Sequence, residues 1–68
     1  MQNANGVELG PAQNELVECY DKLARVLTDR REELAPYEER NALKALAALW
    51  QICNGLDMDR GHLYHLGA

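Results

Sequence analysis

APYEERNALKALAALWQICNGL, residues 35–56, decides how this chain is read. It opens on Ala35-Pro36, and the residue before a proline is biased away from helical geometry. Proline itself suits a first helical turn, where its missing N–H has no intrahelical partner to lose. Glu38 and Glu39 fall in that turn and complement the positive end of the helix dipole. Leu43, Leu46, Trp50 and Cys53 follow at steps of three and four, the spacing of one helical face. Asn54-Gly55 closes the run, with Gly55 as the candidate left-handed residue of a C-cap and Leu56 as its apolar contact. This predicts a helix over about 36–54.

Upstream, Pro11 opens a second pattern of the same kind. Leu16, Tyr20, Leu23, Leu27 and Leu34 form a heptad seam with Arg30 in one slot, and Val17, Cys19, Ala24 and Val26 widen it. The spacing predicts a helix over about 12–34. Two helices joined at Ala35-Pro36 make an antiparallel hairpin. Residues 1–10, MQNANGVELG, are polar and rich in Gly and Asn, and read as a flexible arm. Residues 11–68 then form a single helical domain. Its tail, residues 57–68, lacks the alternation of a strand and is expected to form a short C-terminal helix or a hook over the hairpin. Leu and Ala dominate the apolar residues, with one Ile and no Phe, so the fold class is all-α.

Association follows from size and pattern. No charge appears between Lys44 and Asp57, so the second helix is apolar on more sides than one neighbour can cover. A chain of 68 residues is near the lower limit for a self-sufficient core. A homodimer that closes into a four-helix bundle answers both problems.

The charge pattern argues against several partners. The net charge is −4, and the one basic doublet, Arg30-Arg31, is followed at once by Glu32 and Glu33. Nucleic acid, which calls for a basic stripe, is not an expected partner. The longest uncharged run, Ala45 to Leu56, is too short to span a bilayer. Cys19 and Cys53 both sit in helical patterns and read as small core residues with free thiols, which suits a reducing cytoplasm.

Signatures of chemistry are sparse. There is no serine, no Gly-rich phosphate loop and no implied cofactor or metal. The candidates for acid–base work are His62, Tyr64 and His65, two histidines on one face with an aromatic neighbour. Trp50, Cys53 and Tyr64 are the candidates for lining a ligand site. The plainer reading makes the histidines polar groups on a C-terminal helix. The function expected is therefore a small cytoplasmic interaction, accessory or regulatory module with a possible protein partner, and not an enzyme. The alternative is a small-molecule-binding protein or compact enzyme whose pocket forms between subunits and uses His and Tyr as acid–base groups.

Overall fold

The structure, a computed structural model, describes residues 1–59. Helix α1 runs Pro11–Asp29, a single 3-10 turn follows at Arg31–Glu33, and helix α2 runs Pro36–Gly55. The two helices pack against each other as a hairpin. The expected C-terminal helix or hook falls almost wholly on residues outside those described.

Both helices start by one device. Gly10 precedes Pro11 in extended conformation and its N–H donates to the Gln13 Oε1 at 2.8 Å. Ala35 precedes Pro36 likewise and donates to the Glu38 Oε1 at 2.7 Å. In each case a side chain three residues on satisfies a donor that the helix itself leaves open. Glu38 therefore acts as a cap as well as a charge at the dipole.

The first helix ends at Asp29, five residues before the expected boundary at about 34. Arg30, with φ −132°, leaves helical geometry, and its guanidinium is tied by two bonds of 2.8 and 3.0 Å to Glu33. Arg31 reaches across the turn to Glu39, at 3.2 Å. Leu34 still packs on the core, so its apolar character reports burial in the turn rather than continued helix.

Leu9, Val17, Tyr20, Leu27, Leu46 and Cys53 are the buried residues, and Leu23, Ala24, Leu43, Leu49 and Trp50 pack against them partly covered. On α1 the buried line is shifted by one residue from the expected seam at its start: Val17 is fully buried, whereas Leu16 is 39% exposed. The expectation that both cysteines are core residues is corrected in one case. Cys53 is buried and Cys19 is exposed, because Cys19 follows Leu16 on the outer side of the helix.

The C-terminal end of α2 also differs from expectation. Gly55 is still helical, and the left-handed residue is Asp57, with φ 61°. The N–H of Met58 donates to the Cys53 carbonyl at 2.9 Å and that of Asp57 to the Asn54 carbonyl at 3.1 Å, the bond pair of a Schellman motif. A Cβ at Gly55 would meet nothing within 4 Å. Gly55→Ala should therefore stabilise the fold by about 0.5–1 kcal/mol, the helix preference of Ala over Gly. A loss of stability in thermal denaturation would restore Gly55 to the left-handed role.

Residues 1–10, expected as a flexible arm, take a defined course. They double back in a turn bridged between Gln2 and Glu8, with Gly6 at φ 78°, and tuck Leu9 into the core at 7% exposure. Asn3 organises this turn. Its Oδ1 accepts from the N–H groups of Asn5 and Val7, each at 2.9 Å, and its Nδ2 donates to the Leu56 carbonyl at 3.0 Å. The Ala4 N–H donates to the Asp57 carbonyl at 2.9 Å, and the Asn5 Nδ2 lies 3.3 Å from the Asp57 Oδ2. The arm thus closes over open carbonyls at the end of α2. Asn3→Ala removes three bonds and should lower stability by about 1–2 kcal/mol, while Asn3→Asp, which keeps the two acceptor bonds, should lose less. Equal losses in chemical denaturation would show that the acceptor bonds contribute nothing.

Candidate docking groove

Two heptad lines run side by side on each helix. On α1 the inner line is Val17, Tyr20, Ala24 and Leu27, which faces α2. The line beside it is Leu16, Cys19, Leu23 and Val26, at the same steps of three and four. On α2 the inner line is Leu43, Leu46, Trp50 and Cys53, and beside it runs Ala42, Ala45, Leu49 and Ile52. Intramolecular packing uses the inner lines together with Leu23, Ala42 and Leu49 of the outer ones. The outer lines are thus only partly covered: Leu16, Cys19, Ala45 and Ile52 are exposed, and Leu23, Val26, Ala42 and Leu49 half-buried.

Between the outer lines lies an open groove of about 410 Å³, lined by Cys19, Lys22, Leu23, Val26 and Leu49. Lys22 at its edge supplies the polar part and its stem extends the apolar wall. A smaller hollow of about 200 Å³ adjoins it on α1, lined by Lys22, Arg25, Val26, Asp29 and Arg30. The Arg30 guanidinium there is held above its ordinary pKa by its hydrogen bond to Glu33, so it carries its charge at any physiological pH. A small-molecule site encloses most of its ligand, with a few polar groups converging on it. This groove is shallow and has one cation at its rim. Its form suits the side chains of another helix.

Of the expected ligand-lining residues, Cys53 is 1% exposed and belongs to the core, and Trp50 packs half-buried against that core. Tyr64, His62 and His65 lie outside the described residues, so the acid–base reading of the tail stands as it did from sequence. Among the described residues no three His, Cys, Asp or Glu side chains gather as a metal ion would require. No described helix is long and apolar enough to cross a membrane. No family model, no curated protein and no solved structure matches this chain.

Of the groove residues, Cys19, Val26 and Leu49 were visible in the sequence as flanking positions, whereas Leu23 was read as part of the α1 seam itself. Val26 and Cys19 widened the α1 seam, and the uncharged stretch marked the α2 side. Assigning them to the outer line required knowing that Val17, rather than Leu16, turns inward.

Proposed function

We propose that this chain is a protein–protein interaction module that works as a homodimer, a cytoplasmic accessory or regulatory protein built as a four-helix bundle from two hairpins. The observation that carries this reading is the second, half-exposed heptad line on both helices, with the groove between them. A helix needs one apolar line to pair within its hairpin; a second one is the mark of a further helical layer. The available area is sufficient. A face two helices wide and as long as α1 covers about 28 by 20 Å, so two copies bury roughly 1,100 Å² in total, just above the roughly 1,000 Å² asked of a biological interface. The thiols of Cys19 and Cys53 suit a reducing compartment.

Sedimentation equilibrium between roughly 1 and 100 µM tests the reading directly. A folded dimer of twice the chain mass is expected. A folded monomer throughout that range would sink it.

A further inference from the structure

Asn-Gly occurs twice in this chain, at Asn5-Gly6 and at Asn54-Gly55, and the fold places the two pairs in different backbone settings. This dipeptide is the one most open to attack on an asparagine side chain by its own backbone. Glycine has no side chain to shield its nitrogen, and its wide conformational range admits the geometry of the five-membered ring that forms.

At Asn5 the Gly6 nitrogen, once it has lost its proton, attacks the Asn5 Cγ. A C–N bond forms there, the bond from Cγ to Nδ2 breaks, and the side-chain nitrogen leaves as ammonia, taking up a proton. Water then opens the succinimide at one of its two carbonyls. One opening gives aspartate; the other gives isoaspartate, whose backbone runs through the former side chain. The net change exchanges ammonia for water, with no oxidant or reductant.

Asn54-Gly55 is protected from this step. Both residues belong to α2, where the helical ladder engages the Gly55 N–H and helical backbone angles keep its nitrogen out of line with the Asn54 Cγ. The Asp57 and Met58 N–H groups, bonded to the Asn54 and Cys53 carbonyls at 3.1 and 2.9 Å, hold that end closed. Asn5 and Gly6 lie outside the helices, and both are exposed. Gly6 has φ 78°, and its N–H donates to the Asn3 carbonyl at 3.0 Å. Freeing the Gly6 nitrogen breaks an exposed turn bond, whereas freeing that of Gly55 unwinds a capped helix end.

Either product undoes what Asn5 holds. The Asn5 Nδ2 donates to the Asp57 Oδ2 at 3.3 Å. A carboxylate in its place has no proton to donate and sets like charges face to face. Isoaspartate also adds a backbone carbon to a tight turn, in which the Asn5 and Val7 N–H groups both reach the Asn3 Oδ1 at 2.9 Å. The bond from the Ala4 N–H to the Asp57 carbonyl adjoins both changes.

We propose that Asn5 is a self-modification site whose conversion, with water as co-reactant, releases the amino-terminal turn from the end of α2. The homodimer reading is not needed for it.

Incubating the full chain in mildly alkaline buffer, followed by peptide mass spectrometry, reads the site. Expected is a gain of about one dalton, located by fragmentation at Asn5 and formed at least about tenfold faster than at Asn54. In denaturant, where both pairs share an unfolded setting, the two rates should come within about threefold of each other. Equal rates in the folded chain, or a ratio unchanged by denaturant, overturn the assignment to the fold. Amide exchange reads the consequence. Asn5→Asp should speed exchange at Ala4 by at least about threefold and leave Leu27 and Leu46 unchanged. Adding Asp57→Asn, which removes the facing charge, should restore much of the protection at Ala4. Exchange at Ala4 unaltered by Asn5→Asp would show that the conversion releases nothing.

Discussion

Leu46→Ala is expected to lower the stability of this fold by about 2–5 kcal/mol, the range for large-to-small changes at fully covered sites. Leu46 is fully buried, at 0% exposure, and with Leu27, Val17 and Cys53 makes up the fully covered part of the core. The consequence is severe because the total is small. At roughly 0.05–0.15 kcal/mol per residue, a chain of this length holds only about 3–10 kcal/mol. The variant should lose a large part of its helical signal well below the wild-type midpoint, with the midpoint falling by more than about 10 °C. In the proposed dimer association and folding are linked, so the midpoints of wild type and variant should both rise with protein concentration while the variant dimerises more weakly. A change below about 0.5 kcal/mol would place Leu46 at the surface.

Ala45→Glu is expected to act on association and spare the hairpin. Ala45 is exposed in the single chain and lies on the outer line of α2, between Ala42 and Leu49. A glutamate there faces solvent in a monomer and alters helix propensity by only a few tenths of a kcal/mol. In the dimer it would be a carboxylate buried without a partner, and removing water from such a group is strongly unfavourable. The dimer dissociation constant should rise at least 100-fold, about 2.7 kcal/mol, while far-ultraviolet circular dichroism keeps its helical form. Gln51→Glu adds the same charge at an exposed position off that line and should change little. Equal weakening by both would make the effect one of net charge and remove the groove from the interface.

The architecture was legible where one residue type has one physical meaning. Pro11 and Pro36 marked both helix starts because a proline ring fits that position and few others. The Leu43-to-Cys53 line of α2 was read in the correct register. Errors arose where a residue has two plausible uses. Leu34 extended an apolar pattern past the true end of α1, since burial in a turn and burial on a helix look alike in a string of letters. Gly55 resembled a left-handed cap, but Asp57 holds that conformation with help from Ala4 and Asn5, more than fifty residues away. No local pattern reveals a bond of that span. The groove was half-legible. Cys19, Val26 and Leu49 were seen as flanks of a broad seam and Leu23 as part of the seam, and it is the inward turn of Val17 that divides this face into a buried line and a partly exposed one.

The bonds between the first turn and the end of α2 have a consequence for the order in which this molecule assembles. The Asn3–Leu56 and Asn5–Asp57 contacts span 53 and 52 positions of sequence, whereas the turn between the helices joins neighbours. Contacts between distant positions form late, because the chain between them must first be gathered, and here α1 and α2 do that gathering. The amino-terminal turn is thus a clasp fastened after the hairpin has closed. It is also the part free to open first, as a local fluctuation that leaves the helices paired. Leu9, the one core residue supplied by that segment, links its closure to the core it completes.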